Sequence, residues 1–341
     1  MSDMPKPILE VHQLSKHFTR KRDLLSPFNR RGATIPAVDG VSFYLRENET
    51  MGLVGESGCG KTTVARTILR LTAPTSGRIE FAGQDITHLD DAALRPLRRD
   101  MQMIFQDLDA GLNPKMRVGD ILREALTVHG RPSDAEVARR TRQLLEQVNL
   151  KSSKLASYPA ELSGGEKRRV GIARVLAVGA RLLVADEPTS ALDVSIQAQV
   201  VNLLRDLQSE LGLSYLFISH DLQVVELMSH KVAVMYLGRI VEMGVTEHVA
   251  SAARHPYTYI LWSSLVEKHS REATQPIRIE RRAAWGVFDY ERPYRGCRFA
   301  PRCPVFEQRG RPAECTDPAN EPQLRDVGGG HQVACHFPLG S

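Results

Sequence analysis

Apolar residues fall at alternating positions through Ile8-Leu-Glu-Val-His-Gln-Leu14, the pattern of a strand with one buried face. Ala37–Leu45 reads as a second strand of this kind. The stretch between them, 19–36, is basic and holds Pro27, Gly32 and Pro36, which predicts a loop insertion. Met51-Gly-Leu-Val54 is a short apolar strand, and Lys61–Leu71 takes helical spacing. Helical periodicity runs through 116–148 with a polar break at Gly130–Ser133. A helix is expected to begin near Ser163–Gly165 and to run through Val178. It is followed by strand Arg181–Ala185, helix Ser195–Leu211, strand Ser214–Ser219 and helix Leu222–Met228.

Strands that alternate with helices predict an α/β fold with a mostly parallel, doubly wound core. The helical stretch from about 107 to 165 interrupts the alternation and reads as a subdomain. Strand signals fade after Gly244. Arg254-His-Pro-Tyr-Thr258 opens a short helix to Val266, and a tail rich in Pro, Arg and Gly follows.

Gly55-Glu56-Ser57-Gly58-Cys59-Gly60-Lys61-Thr62 matches the phosphate-loop pattern in full, after a strand and before a helix. Its glycines let successive N–H groups face one anion, and the helix terminus adds partial positive charge. Lys61 can reach the β- and γ-phosphates, and the Thr62 hydroxyl can ligate Mg²⁺. Thr63 continues the cradle into the helix. The plainer alternative, a Gly-rich turn before an ordinary helix, does not explain why the whole pattern occurs in that context. Cys59 fills a variable position, where the helix terminus could lower its pKa and make it reactive.

Asp186 ends an apolar strand, where it can hold Mg²⁺ through water, and Glu187 follows it. An acidic strand end is common on its own. Its spacing before Ala191-Leu192-Asp193 makes it informative. Ser163-Gly164-Gly165 begins a helix and so offers N–H groups to an anion, yet the chain already has one phosphate site.

In this order the motifs resemble the nucleotide-binding subunit of an ATP-binding cassette (ABC) transporter, from about Ile8 to the C-terminus. The resemblance implies a P-loop ATPase core, with a mostly parallel sheet and an antiparallel β subdomain, spanning 1–266. A helical subdomain would occupy about 107–165, and a Cys-rich C-terminal extension 267–341. Glu187 would act as general base on the attacking water. His220, after strand Tyr215–Ser219, would sense the γ-phosphate. Gln106 would join core to helical subdomain and meet Mg²⁺, and Phe18 would lie over adenine unless it is only a packing residue. Ser163-Gly164-Gly165 would cap the ATP of a second ATPase subunit, a paralogue or a copy, in a head-to-tail dimer. Glu166 departs from the family, which most often has Gln there, and a carboxylate near triphosphate would weaken affinity slightly.

Four of the five cysteines lie beyond residue 296: Cys297, Cys303, Cys315 and Cys335. In a reducing compartment such clustering favours a metal over disulfides, and the spacing lacks paired zinc ligands. Gly296-Cys-Arg-Phe-Ala-Pro-Arg-Cys-Pro304, with Val333-Ala-Cys-His336, resembles the C-terminal extension of oligopeptide and dipeptide importer ATPases, as does Leu112-Asn113-Pro114. That resemblance implies a [4Fe-4S] cluster on the four thiols; zinc and free thiols stay open.

The 341 residues are 42% hydrophobic and 25% charged, ordinary for a globular protein, and carry a net charge of +5. Basic residues are dispersed in short groups without interleaved aromatics, so no nucleic-acid partner is expected. No apolar run approaches the roughly eighteen residues of a membrane helix, and the N-terminus has no signal-peptide core. The implied protein hydrolyses ATP at the cytoplasmic face of the plasma (inner) membrane, docked peripherally on two permease subunits. Those subunits would receive short peptides, or else nickel, opines or sugars, from an extracytoplasmic substrate-binding protein. A soluble ABC ATPase acting on nucleic acid or ribosomes is the alternative class. A dead ATP-binding scaffold is disfavoured by the presence of Lys61, Asp186, Glu187 and His220.

Overall fold

The computed structural model describes residues 6–19, 34–105, 111–130, 132–190, 192–266 and 296–340. Strands β1 (Pro7–Thr19) and β2 (Thr34–Arg46) pair antiparallel. Both run farther than the alternating stretches suggest, so the two ends of the expected insertion, Thr19 and Thr34–Pro36, are strand, and the rest of it falls outside the described residues. β3 (Thr50–Val54) leads into the phosphate loop and helix α1 (Lys61–Ile68). Next come β4 (Ser76–Phe81), β5 (Gln84–Asp85), α2 (Asp91–Asp100) and β6 (Met101–Ile104), then helices α3 (Val118–Thr127), α4 (Asp134–Gln147) and α5 (Gly164–Ala177). The polar break separates α3 from α4, and Ser133 caps α4 by accepting from Glu136 N–H.

Strand β7 (Leu182–Asp186), α6 (Val194–Leu211), β8 (Ser214–Ile218), α7 (Leu222–Met228), β9 (Lys231–Tyr236) and β10 (Arg239–Val245) complete the alternation. After α8 (Thr246–Ser251) and α9 (Pro256–Val266), the tail contributes α10 (Pro304–Gln308), β11 (Arg325–Asp326) and β12 (Gln332–Val333).

The main sheet runs in the order β11-β12-β10-β9-β3-β8-β7-β6. From β9 to β6 all neighbours are parallel, while β10 and the tail strands pair antiparallel. Every residue of β3, β7 and β8 is buried, as expected for parallel strands covered on both faces. Alternation then sorts side chains by face. Leu183, Ala185, Tyr215 and Phe217 join the core shared with the helices of the second half. Leu182, Val184, Leu216 and Ile218 join the core beneath α1 and the second sheet, β2-β1-β4-β5. The tail is part of the sheet, since Val333 and Gln332 pair with Glu242 and Met243 of β10.

Among the described residues no helix is long and apolar enough to cross a membrane.

Candidate nucleotide site

The phosphate loop leaves β3 at the C-terminal edge of the parallel strands, where such sheets bind ligands. Two of its glycines are forced. Gly55 has φ +152° and Gly60 has φ +111°, and a Cβ at either would come within 2.2 Å of a backbone oxygen, that of Met235 or of Ala37. Lys61 is buried and folds its ammonium back to donate to Gly55 O at 2.7 Å and Glu56 O at 3.0 Å. The backbone N–H of Glu56 donates to the Tyr257 hydroxyl at 3.0 Å. Ser57 and Gly58 are exposed. Inside α1 the Thr63 carbonyl accepts from Thr67 Oγ1 at 2.7 Å, an intrahelical role.

The surroundings of Cys59 disfavour the thiolate. It is buried, and burial pushes its pKa up against the opposing pull of Lys61. Its sulfur packs against the space a side chain at Gly55 would need.

Thr62 Oγ1 donates to Asp186 Oδ1 at 3.2 Å. Burial lifts the Asp186 pKa, while the Thr62 hydrogen bond, Arg66 and Lys61 pull it back. A buried carboxylate beside a hydroxyl is an oxygen pair that gains from a hard cation, so these residues fit Mg²⁺. Glu187 follows in the left-handed region at φ +49°. It is held there by its N–H on Ile218 O at 2.9 Å and by Ser190 N–H on its own carbonyl at 3.1 Å. A non-glycine residue in that conformation costs roughly 1–3 kcal/mol, which the surrounding bonds must offset. His220 Nδ1 lies 3.3 Å from Glu187 Oε2. Asp221, next along the chain, caps α7 by accepting from Gln223 and Val224 N–H.

Ser163 caps α5 in a reciprocal box with Glu166. Its hydroxyl accepts from Glu166 N–H at 3.3 Å, and Glu166 accepts from Ser163 N–H at 3.0 Å. Lys154 pairs with Glu166 at 2.8 Å. Hydrogen bonding to Lys154 and Ser163 holds the carboxyl below the usual range. The Glu166 carboxylate is thus partly matched by Lys154, which would lessen any repulsion of a triphosphate. A side chain on Gly164 would meet nothing within 4 Å.

Phe18 stands on β1 opposite Ile35, where a loop was expected, and is 44% exposed with Lys16 Nζ 5.1 Å from its ring centre. Gln106 lies outside the described residues, as does Ala191.

The tail cysteines share one neighbourhood. Cys297 N–H donates to Cys315 O at 2.9 Å. Burial, then the neighbouring thiols, raise the pKa of Cys315 to about 11 and of Cys335 to about 12. Burial likewise lifts Cys303 to about 11, with Cys297 adding to the rise. Yet among the described residues no group of three or more His, Cys, Asp or Glu is set to hold a metal ion. The expected [4Fe-4S] cluster is therefore not supported by this arrangement, in which Cys297 and Cys315 are buried and Cys303 and Cys335 only partly so.

Sequence reasoning missed the groups behind the loop. Arg302 forks onto Glu56 at 2.7 and 2.9 Å and donates to the Tyr236 hydroxyl at 3.2 Å. The His255-Pro-Tyr257 element was conspicuous in the chain, but nothing local announced that Tyr257 meets the phosphate loop.

A phosphate loop, a buried aspartate on its threonine and a strand-end glutamate define a P-loop ATPase. Residues 38–190 match the ABC transporter family, and 241–309 match the oligopeptide/dipeptide transporter C-terminal region. The chain is 45% identical over 330 residues to a putative peptide import ATP-binding protein of Brucella ovis, covering 96% of this chain and 97% of that one. It is 43% identical over 331 residues to the oligopeptide transport ATP-binding protein AppF of Bacillus subtilis, covering 97% of each. The dimeric cassette MJ0796, solved in a post-hydrolysis state with ADP and Pi, is similar with a TM-score of 0.60 at 26% identity, over 70% of this chain and 98% of that one. The chain belongs to the ABC transporter family, in its oligopeptide/dipeptide branch.

Proposed function

We propose that this protein is the ATP-hydrolysing subunit of an ABC importer for short peptides. The observation that carries the reading is the Thr62–Asp186 pair beside Glu187, placed where the phosphate loop meets two parallel strand ends. Similarity to peptide import proteins along nearly the whole chain supplies the cargo class. The membrane permeases of such an importer follow from the same similarity.

Lys61 and the loop N–H groups bind the triphosphate. Thr62 and Asp186 would hold Mg²⁺, which would neutralise phosphate charge. Glu187 takes the proton of the attacking water, and His220, beside it, orients the γ-phosphate end of the site. Gln106 would add an amide oxygen to Mg²⁺, a role carried by the family resemblance. Phe18, on an exposed strand end, stacks on adenine. Ser163, Gly164 and Gly165 serve the nucleotide of a second ATPase subunit, a reading supported by the open space over Gly164.

We assign the ATPase to 1–266, with the helical subdomain at about 107–165, and the extension to 267–341. Between helical subdomain and core lies a cleft of about 420 Å³ lined by Leu71, Met103, Phe105, Ile121, Val128 and Val178 among others. Its apolar lining suits a short permease helix, which would hold the chain at the cytoplasmic membrane face. The four cysteines enter as soft donors. The [4Fe-4S] cluster rests on the resemblance of the cysteine-bearing segments to the importer extension, with soft thiolates as its donors.

The test is reconstitution with two permeases, a second ATPase subunit and a binding protein in liposomes. ATP-driven uptake of di- or oligopeptides is the expected result. Uptake of nickel or sugars alone would replace the cargo, and tight co-purification with nucleic acid would replace the class.

A further inference from the structure

The tail reaches the nucleotide site through one side chain. Arg302 lies next to Cys303, far along the chain from the phosphate loop, yet its two terminal nitrogens reach the two carboxylate oxygens of Glu56. The guanidinium also sits 5.5 Å from the Tyr236 ring centre and 5.9 Å from that of Phe299. Those rings pack on Tyr257 at 4.7 and 5.5 Å, and the Tyr257 hydroxyl receives the Glu56 N–H.

Glu56 is thus gripped at three points: its amide by Tyr257, its carbonyl by Lys61 and its carboxylate by Arg302. It is the one acidic residue in Gly55–Thr62. An unpaired carboxylate there would face a polyanion and would leave the first turn of the loop free to swing. A second contact set fixes the clamp itself. Arg298 binds Asp39, Glu321 at 2.9 Å and Leu237 O at 2.6 Å, and Arg239 bridges Asp39 and Glu321. Burial alone would raise Asp39, but Arg298 and Arg239 hold its carboxyl below the usual range. The tail segment is therefore pinned at Arg298 as well as at Arg302.

We infer that Arg302 is a positioning residue for ATP: it neutralises Glu56 and fixes the first turn of the phosphate loop, making the tail a working part of the nucleotide site. This rests on Gly55–Thr62 being the ATP site. A bidentate fork is what Arg supplies and Lys cannot.

The experiment is calorimetric titration of the full chain with ATP and Mg²⁺. Arg302→Ala should raise the dissociation constant about five- to ten-fold, a charge-assisted bond discounted for partial exposure. Arg302→Lys should fall between that and wild type. Glu56→Gln, which removes the charge and one arm of the fork, should fall between wild type and Arg302→Ala, and adding Arg302→Ala to it should cost clearly less than the same change does in the wild-type background. Unchanged binding in Arg302→Ala would overturn the inference. So would a loss that persists in full in the Glu56→Gln background, since that would mean general packing damage. Lys61→Ala run alongside tests the site itself: lost binding supports it, and retained binding overturns both readings.

Discussion

Glu187 and His220 stand at the ends of adjacent parallel strands, β7 and β8, with Oε2 and Nδ1 3.3 Å apart. The register that aligns Asp186 with Ile218 brings the two segments that follow these strands side by side. The Glu187 backbone is fixed by its N–H on Ile218 O, which aims the carboxylate. Glu187→Gln should keep ATP binding and lower turnover by about 10²–10⁴-fold, the range lost when a positioned base is removed. ATPase rates, with gel filtration in ATP to detect a trapped dimer, check it. Near-normal turnover would remove Glu187 from the mechanism.

The cap box of Ser163 sits on the outside of this chain's own site. Ser163→Arg should leave ATP binding to the isolated subunit intact and block hydrolysis in the assembled importer. Parallel binding and turnover measurements decide it. Loss of binding by the isolated chain would rule out a shared site. Because Ser163 also caps α5, melting should drop modestly, by about 0.5–2 kcal/mol.

Thiol labelling should divide the cysteines. In the folded chain Cys59 should resist iodoacetamide with or without ATP, and denaturant should release it; fast native labelling would contradict its burial. Purified without oxygen, the chain should be brown with about four irons and four sulfides if the tail binds a cluster. Stoichiometric zinc in a colourless sample would reassign the site, and no metal would leave four neutral thiols.

His255 is fully buried, and burial pushes its pKa down to about 3. Its Nδ1 accepts the Tyr257 N–H at 3.0 Å, a bond that needs the neutral ring. The folded value lies below the unfolded one of about 6.5, so unfolding takes up a proton at acid pH. Its stabilising contribution is complete above about pH 6.5 and is lost as pH falls toward 3, by up to about 1.4 kcal/mol per pH unit. His255→Asn keeps an acceptor and should flatten that slope. Denaturant melts from pH 7 to 5 check it, and identical slopes would exclude His255 as the source.

Much of this was legible along the chain. Helix α7 was predicted to the residue because Asp221 caps a compact apolar helix, and β3, β7 and β8 were near-continuous apolar runs. β4 was not read, since only Ile79 and Phe81 of its six residues are buried and Gly77 blurs the pattern. β12 was missed because two residues carry no periodicity; its partner strand supplies the information. Glu242 shows the same limit. It is completely buried in β10, a charge no pattern would place there. It is explained only by His331 at 2.6 Å and the N–H groups of Arg254 and His255. Local chemistry reveals motifs, whereas pairs as distant as Arg302 and Glu56 arise only from the fold.

The pairing of β12 on β10 also sets a timetable. During synthesis β10 emerges long before its antiparallel partner. At about 5–20 residues per second, the stretch from Val245 to Gln332 takes roughly 4 to 17 seconds to translate. Through that interval the nascent cassette presents an open strand edge beside Met243. A ribosome stalling in that stretch would release chains with a near-complete nucleotide site and an adhesive border, and crowding of such chains would favour edge-to-edge aggregates. The last strand therefore protects the protein's solubility as well as completing its sheet.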